Sequence, residues 1–345
     1  MPSVSDFLIE RLENAKVEHV FGLPGDYVLN FYNKLSNSKS INLINTTDES
    51  HAGFAADAYS RIKGIGCVCV TYSVGGLKLA NATACAFAEK SPLIVICGSP
   101  GVKEREGGVL LHHMVRSFES QKEVFDSITC ASVVLDNPAT AGYEIDRVFE
   151  ALHYYKQPIY IELPRDIADK PIGYDVKLGT PKSPESDPQN LNESLEEVIS
   201  WIEDAENPII LAGVELARFG LGKELVRFAE KTNIPIASTL LSKSVISETH
   251  PLFLGVYVGN TSEKLVKKVV ENSDCLLMFG VMLTDMTLGF MPSKFRKRRT
   301  VYCSIDSLKV KNHMYSDVVF KDFVGGLFKS EINKKPDPKI PKAKV

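Results

Sequence analysis

Glu49 is the acidic side chain whose place in the sequence is best suited to chemistry. It follows a short β-branched run, Ile41 to Ile44, which is typical of a buried strand. It precedes a run of mostly small residues, Ala52 to Tyr59, which predicts a closely packed helix. A carboxyl group in such a position can accept hydrogen bonds and exchange a proton with a ligand. The same position also suits an ordinary first-turn acid that interacts with the helix dipole.

Three further titratable residues lie in predicted turns and loops. Asp26 ends the turn Gly22 to Gly25, at the carboxyl end of the predicted strand Val17 to Phe21. His112 and His113 are adjacent, and because neighbouring side chains on a strand face opposite ways, we expect them in a loop or at a helix start. Carboxyl and imidazole groups are common acid–base groups, and histidine titrates near physiological pH. Taken alone, Asp26 is also a favoured turn residue and the histidines are surface polar residues.

Composition and charge narrow the class of protein. The 345 residues are 44% hydrophobic and 24% charged, as in ordinary globular proteins, and the length favours two domains. The net charge of −3 gives no electrostatic reason to expect a nucleic-acid or membrane partner. No apolar run approaches the ~20 residues of a membrane span, and the N-terminus does not resemble a secretory signal.

The cysteines predict a reducing compartment rather than a metal site. The seven cysteines form no CxxC motif and stand mostly in apolar, strand-like runs. Cys67 and Cys69 would share one strand face, but no further ligand lies near them in the sequence. We therefore expect buried free thiols, a cytoplasmic location and no metal ligand in this chain.

The first 178 residues alternate between strand and helix patterns, which predicts an open parallel sheet covered by helices on both faces. The predicted strands are Val17–Phe21, Ile41–Ile44, Gly66–Tyr72, Leu93–Cys97, Ala131–Leu135 and Pro158–Glu162. The predicted helices are Ser5–Asn14, Tyr27–Leu35, one from Glu49, Gly76–Ala88, Val124–Ile128 and Ala139–Tyr155.

A second domain is predicted after a change in composition. Residues 179–190 are rich in Pro, Ser and charge, which is typical of a linker. Residues 191–328 alternate again and predict a Rossmann-like α/β domain, although Gly213 begins no GxGxxG motif and nucleotide binding is not predicted there. Residues 329–345 are basic and Pro-rich, which predicts disorder.

Four motifs occur together and in order in one known family. They are Gly22–Asp26, Asp48–Tyr59, Leu110–His113 and Ile159–Asp166. On these motifs the chain resembles thiamine-diphosphate-dependent 2-oxo-acid decarboxylases of the pyruvate, indolepyruvate and phenylpyruvate group, over about Val4 to Leu327. The resemblance implies a pyrimidine-binding domain of the thiamine-diphosphate-binding fold, followed by the central domain.

The resemblance also implies roles for individual residues. Glu49 matches the glutamate that hydrogen-bonds N1′ of the cofactor's aminopyrimidine, and Asp26, His112 and His113 match the acid–base groups beside the reacting atoms. The activity implied is non-oxidative decarboxylation of a 2-oxo acid to an aldehyde and CO2. The other cofactor contacts implied are Pro24, Gly25, Thr71 and Tyr72.

Members of this family are longer and carry a third domain, which binds the diphosphate through Mg²⁺ and has a Gly-Asp-Gly signature. No Gly-Asp-Gly occurs here, so the resemblance implies that this chain supplies the pyrimidine side of a site and is inactive by itself. We expect a homodimer or homotetramer, with Mg²⁺ ligands in the third domain or in a separate diphosphate-binding partner. The chain could be a fragment, a truncated product or one half of a split enzyme.

The substrate is not fixed by the sequence. Val70–Leu77 and Ser242–Glu248 favour the phenylpyruvate or indolepyruvate branch. Gly76 and Lys78 stand where pyruvate-type members usually have an acid and a small residue. A non-catalytic binding or assembly protein that kept the fold is the alternative function. Arg165 and Asp166, at the end of the last motif, predict a mutual ion pair at a strand end.

Overall fold

The computed structural model describes residues 1–173, 183–289 and 299–338. The chain divides into two compact units, Met1–Ser183 and Pro184–Val345. Each unit is built on one open sheet with helices packed against it. Among the described residues, no helix is both long enough and apolar enough to cross a membrane.

The first unit contains a six-stranded sheet in the order β2-β1-β3-β4-β6-β5, and every neighbouring pair is parallel. Its strands are β1 (His19–Gly22), β2 (Asn42–Asn45), β3 (Gly66–Val70), β4 (Leu93–Ser99), β5 (Ala131–Val134) and β6 (Ile159–Pro164). Its helices are α1 (Val4–Asn14), α2 (Leu29–Ser36), α3 (Glu49–Lys63), α4 (Ala80–Ala88), α5 (Val102–Arg105), α6 (Ser120–Asp126) and α7 (Ala141–Tyr155).

Both faces of this sheet are covered, and the strand sequences show why. Successive residues of a strand point to opposite faces. Cys67 and Cys69 of β3 pack in one hydrophobic cluster, whereas Val68 and Val70 pack in another. Because both sets must be apolar, β3 is a continuous buried run rather than an alternating one. The predicted parallel, doubly covered sheet is therefore confirmed.

Helix α3 begins where the sequence predicts. The Asp48 side chain accepts a hydrogen bond from the Ser50 backbone N–H at 2.8 Å, which caps the first turn. Gly64 ends the helix with a φ of +101°, a conformation that favours glycine. The helix predicted over Gly76–Ala88 is instead a 3₁₀ turn, Gly76–Leu79, that leads into α4.

The second unit contains a seven-stranded sheet in the order β13-β12-β11-β10-β7-β8-β9. Its strands are β7 (Pro208–Ala212), β8 (Ile236–Thr239), β9 (Phe253–Tyr257), β10 (Cys275–Phe279), β11 (Thr300–Ser304), β12 (Ser307–Val310) and β13 (His313–Tyr315). Its helices are α8 (Pro188–Asp204), α9 (Val214–Arg218), α10 (Gly222–Thr232), α11 (Lys264–Asn272) and α12 (Phe320–Lys329), with 3₁₀ turns at Leu240–Ser242 and Gly259–Thr261.

This second sheet is mixed rather than wholly parallel. Strands β7 to β11 pair in parallel, but β12 pairs antiparallel with β11, and β13 with β12. Strands β9, β12 and β13 were not predicted from the sequence. An antiparallel edge on a mainly parallel sheet is common in doubly wound folds, so the fold class is unchanged.

The structure differs from the composition-based expectations at two segments. Of the predicted linker, residues 179–182 lie outside the described residues, and Pro188 to Asn190 already belong to α8. In the predicted tail, the Lys335 backbone N–H donates to the Thr232 carbonyl at 2.9 Å, and Ile332 is buried. Residues 330–338 therefore pack on the second unit, and residues 339–345 lie outside the described part.

Candidate active site

The candidate site lies where the strand order of the first sheet reverses. Strands β2 and β3 flank β1 on opposite sides, so the chain segments that leave β1 and β3 diverge. Gly22 of β1 pairs with Cys69 of β3, which brings the carboxyl ends of these strands to the same edge. A crevice at such a reversal is where open α/β sheets bind ligands.

Glu49 is the first residue of α3, and its side chain is only 17% exposed. A Cβ atom built on Gly75 would lie 3.2 Å from Glu49 Oε1, so this carboxylate oxygen faces Gly75. The other oxygen, Oε2, lies 3.0 Å from Lys78 Nζ. The first-turn position is confirmed, and it places this carboxylate at the crevice.

Lys78 joins two neighbouring carboxylates. Its ammonium group lies 2.6 Å from Asp48 Oδ2 and 3.0 Å from Glu49 Oε2. The hydrogen bond from Lys78, with the backbone N–H of Ser50, lowers the pKa of Asp48 to about 2. Lys78 was noted in the sequence only as a departure from the pyruvate-type pattern, and the structure shows that it contacts Glu49.

Thr71 follows β3 and faces the turn that follows β1. A Cβ atom on Gly25 would overlap the Thr71 side chain, so the glycine allows the two segments to approach closely. Among the described residues, Thr71 Oγ1 is buried and has no hydrogen-bond partner. A buried hydroxyl without a partner is costly, so this oxygen is available to a polar atom of a ligand.

The remaining two predicted cofactor contacts lie in different environments. Pro24 is exposed, whereas Tyr72 is 1% exposed and packs edge-on against Tyr27 with ring centroids 5.7 Å apart. Burial raises the pKa of Tyr72 to about 12. The Tyr72 ring therefore belongs to the core beneath the crevice.

The structure brings Asp26, His112 and His113 together. Asp26 Oδ2 lies 2.6 Å from His112 Nε2. The other ring nitrogen of His112 lies 3.1 Å from the Tyr27 hydroxyl, and the His112 ring stacks on Tyr27 with centroids 4.7 Å apart. The His113 ring lies 4.8 Å from that of His112, in a loop as expected. Tyr27, which orients His112 from the core, was missed although it directly follows Asp26.

Two domain families, both from the same group of enzymes, match this chain. Residues 2–124 match the thiamine pyrophosphate enzyme N-terminal TPP binding domain, and residues 195–323 match the thiamine pyrophosphate enzyme central domain. The chain belongs to the thiamine pyrophosphate enzyme family. The resemblance that the four motifs indicate is confirmed, and the cofactor of the family is thiamine diphosphate.

Curated relatives of this thiamine pyrophosphate enzyme chain are named as decarboxylases. Indole-3-pyruvate decarboxylase of Azospirillum brasilense is 32% identical over 328 residues, covering 94% of this chain and 59% of the relative. Pyruvate decarboxylase of Kluyveromyces marxianus is 32% identical over 320 residues, covering 91% and 57%. Pyruvate decarboxylase isozyme 1 of Saccharomyces cerevisiae is 30% identical over 324 residues, covering 92% and 57%. The chain thus spans less than two thirds of the length of these relatives.

The crevice fits the pyrimidine end of thiamine diphosphate. Glu49 Oε1 and the Thr71 side chain both lie next to Gly75, and the unpartnered Thr71 hydroxyl lies next to Gly25. A carboxylate and a hydroxyl can hydrogen-bond the nitrogen atoms of an aminopyrimidine. Asp26 and the two histidines have ligand atoms within 4.8 Å of one another. Mg²⁺ prefers oxygen ligands, so two imidazoles make this group a poor match for the metal that accompanies the diphosphate.

The predicted ion pair between Arg165 and Asp166 is wrong. Arg165 Nε donates to Glu104 at 3.0 Å, and its guanidinium lies 5.0 Å from the Tyr27 ring centroid. Asp166 instead accepts the backbone N–H of Val102 at 2.9 Å. Both side chains therefore fasten α5, and Arg165 also packs against Tyr27, which in turn orients His112.

Proposed function

We propose that this chain forms the pyrimidine side of the active site of a thiamine-diphosphate-dependent 2-oxo-acid decarboxylase. The observation that carries the proposal is Glu49 with one carboxylate oxygen facing Gly75, beside the unpartnered Thr71 hydroxyl. A helix-start acid with a purely structural role would not need to face a glycine and an unpartnered hydroxyl at the carboxyl ends of β1 and β3. The names of the relatives support the same reaction class.

Thiamine diphosphate would supply the electron sink for breaking the bond to the carboxylate of a 2-oxo acid. Glu49 would hydrogen-bond N1′ of the pyrimidine ring and exchange a proton there. Thr71 would hydrogen-bond a second polar atom of the ring, while Gly25 and Pro24 border it from the turn after β1. The 17% exposure of Glu49 limits competition from water for that hydrogen bond.

Asp26 and His112 would transfer the second proton of the reaction. Before an aldehyde leaves, the carbon that has lost CO2 must receive a proton. The 2.6 Å contact between Asp26 and His112 lets a proton pass between carboxylate and imidazole, and His113 lies close enough to extend the path. Tyr27 holds the second nitrogen of His112, which fixes the orientation of the ring.

The finer features of the function belong to the same proposal. The substrate is an aromatic or branched 2-oxo acid, such as indolepyruvate or phenylpyruvate, or pyruvate itself. Mg²⁺ would hold the diphosphate in a third domain or a separate chain. We propose a homodimer or homotetramer, because α3 exposes Phe54 (42%) and Ile62 (85%), and a cytoplasmic location, because all seven cysteines are free.

The decisive experiment uses protein expressed from the complete gene, supplied with thiamine diphosphate and Mg²⁺. Pyruvate, indolepyruvate and phenylpyruvate are compared by release of CO2 and of the matching aldehyde. We expect both products from at least one acid and strongly reduced release by Glu49→Gln. Cofactor binding with no product from any of the three acids would favour the non-catalytic alternative.

A further inference from the structure

Four buried or half-buried side chains form a hydrogen-bonded chain that begins at the Thr71–Gly75 segment. This chain, here called the Gln121 relay, consists of Gln121, Tyr160, Glu162 and Arg105. The relay begins at Gln121 on α6, which is 1% exposed. Gln121 Oε1 accepts the backbone N–H of Ser73 at 2.6 Å, and Gln121 Nε2 donates to the Tyr160 hydroxyl at 2.5 Å. The carbonyl oxygen and the amino group of this buried amide therefore both form a hydrogen bond.

The relay continues through β6 to α5. The Tyr160 hydroxyl donates to Glu162 Oε2 at 2.9 Å, and Arg105 Nη2 donates to Glu162 Oε1 at 3.0 Å. Glu162 is fully buried, and burial raises its pKa while Arg105 opposes that rise. The relay thus links the Thr71–Gly75 segment to the start of the segment that carries the two histidines.

Ser73 is the residue that most needs this support. It is 2% exposed and has a φ of +51°, a left-handed conformation that residues other than glycine rarely adopt. Its backbone N–H would be buried without a partner if Gln121 were absent, which is a further cost. The Gln121 carbonyl therefore stabilises a strained backbone two residues from Thr71 and two from Gly75.

Gly76 and Gln121 are complementary in shape. A Cβ atom on Gly76 would overlap Gln121 Oε1 and would lie 3.1 Å from Cys97 Sγ. The acid that the resemblance implies for pyruvate-type members at this position could not be accommodated beside Gln121. Gly76 therefore leaves the space that Gln121 Oε1 occupies.

We propose that Gln121 is a positioning residue for the cofactor crevice. It holds Ser73 in the left-handed conformation that sets Thr71 and Gly75 beside Glu49, and Gly76 provides the room for it. The catalytic consequence rests on the proposed function, whereas the effect on the backbone does not. The relay also explains a charged residue, Glu162, within the otherwise apolar strand β6, the sequence signal that could have revealed it.

The backbone effect is tested by hydrogen–deuterium exchange of this chain. Gln121→Met removes the acceptor for the Ser73 N–H but keeps a similar side-chain volume. Because one hydrogen bond contributes up to ~1.5 kcal/mol of net stability, we expect exchange over residues 71–77 to quicken up to about tenfold. Gln157→Met is the matched control, since Gln157 Nε2 donates to the Phe87 carbonyl at 3.0 Å, outside the relay. Faster exchange over residues 71–77 in both variants, or in neither, would overturn the proposal.

A second variant keeps the proposal testable if Gln121→Met does not fold. Tyr160→Phe removes the hydroxyl that accepts from Gln121 Nε2, and it leaves the ring stacked on Phe125, whose centroid lies 4.4 Å away. We expect a smaller rise in exchange over the same residues. Unchanged exchange there in Tyr160→Phe would show that the relay does not hold Ser73.

The catalytic consequence is measured on the cofactor-loaded protein from the complete gene. We expect Gln121→Met to raise the cofactor concentration for half-maximal activity about tenfold, with a smaller change in kcat, because the crevice is displaced before the cofactor binds. A residue with only a general structural role would lower the active fraction in Gln121→Met and Gln157→Met alike. If the parent protein shows no decarboxylase activity, the proposed function fails while the exchange experiment still decides the role of Gln121.

Discussion

The two sheets of this chain reverse their strand order in similar ways, but the residues at the two reversal points differ. In the first sheet the reversal lies between β1 and β3, and in the second it lies between β7 and β10. The general rule for open α/β sheets places a ligand site outside the carboxyl ends of the strands at each such point. Buried hydroxyl groups without a partner occur beside both points, Thr71 at the first and Ser238 at the second, so the acidic side chains make the difference within the described residues.

At the second point, the backbone fills the space. A Cβ atom on Gly213, after β7, would overlap the carbonyl of Gly280, after β10. The Gly213 backbone N–H donates to the Phe279 carbonyl at 2.8 Å, and Glu215 is buried and accepts the Ile305 N–H at 2.9 Å. This carboxylate joins strand ends instead of facing a ligand.

At the first point, the strand ends approach as closely, since a Cβ atom on Gly22 would overlap the Cys69 carbonyl, but the polar groups that follow them are used differently. Glu49 turns one oxygen towards Gly75, and Thr71 Oγ1 is buried without a partner. The comparison teaches that topology provides a crevice but does not make it a site. What makes the site is the residues after each strand, which either use their polar atoms within the fold or leave them for a ligand.

The largest expected effect is on cofactor activation, and it distinguishes Glu49 at the first point from Glu215 at the second. In the cofactor-loaded protein, Glu49→Gln should slow hydrogen–deuterium exchange at C2 of the cofactor by ~10²–10⁴-fold, the usual effect of losing an acid–base group. The amide can still hydrogen-bond N1′ but cannot exchange a proton there, so cofactor binding should change much less. Nuclear magnetic resonance of quenched samples measures the exchange.

Glu215→Gln is the matched control for that experiment. It should leave C2 exchange unchanged and lower the free energy of unfolding by about 1–2 kcal/mol, because a hydrogen bond to a charged acceptor becomes a neutral one. Equal C2 exchange rates in Glu49→Gln and the parent protein would show that Glu49 is only a first-turn helix charge.

Asp26→Asn should slow a later step of the reaction than Glu49→Gln does, and by a smaller factor. The amide can accept a hydrogen bond from His112 but cannot carry the proton. We therefore expect near-normal C2 exchange, with aldehyde release slowed by ~10²-fold. Single-turnover analysis that follows CO2 and aldehyde separately makes the measurement. Simultaneous loss of both products would place Asp26 in the earlier step and contradict this assignment.

The parts of the site that sequence reasoning located depend on local rules. Glu49 was placed at a helix start because strand residues, a capping acid and small helix residues follow one another in the sequence. The Gly22–Asp26 turn and the histidine loop were predicted for the same reason, since turn chemistry is set by adjacent residues. The doubly covered first sheet followed from its continuous apolar strands.

The parts that were missed depend on distant segments. Gln121 meets Ser73 across 48 positions, and Tyr27 meets His112 across 85, so no local pattern marks either contact. The ion pair of Arg165 with Glu104 spans 61 positions and replaced the adjacent partner that the sequence suggested. Strands β12 and β13 were missed because they form an antiparallel edge with no helix between the strands, which the alternating strand–helix pattern does not predict.

A pair of glycine substitutions tests whether the two crevices differ in packing. Gly213→Ala should lower the free energy of unfolding by about 2–3 kcal/mol, because its Cβ would overlap the backbone of Gly280, just after β10. Gly75→Ala should cost less than about 1 kcal/mol, since its nearest neighbours lie 3.0–3.2 Å away and one of them is the movable Glu49 carboxylate. Urea denaturation measures both. A greater loss of stability for Gly75→Ala would mean that the first crevice is as tightly filled as the second.

The smallest expected effect concerns the charge beside the open crevice. Lys78→Met removes the ammonium group that holds the pKa of Asp48 at about 2, so that pKa should rise towards its ordinary value of about 3.9. A carboxyl group whose folded pKa lies below its unfolded value stabilises the fold above the unfolded pKa, and the contribution is lost as pH falls towards 2. The variant should therefore lose less stability than the parent between pH 4 and pH 2. Carbon-13 titration of Asp48 reports the pKa, and 1 M NaCl should shrink the difference because these groups are exposed.

In the cofactor-loaded protein the same variant frees Glu49 Oε2 from a cation 3.0 Å away, which favours a shared proton and should speed C2 exchange modestly. Slower C2 exchange in Lys78→Met would instead show that Lys78 orients Glu49 towards the crevice.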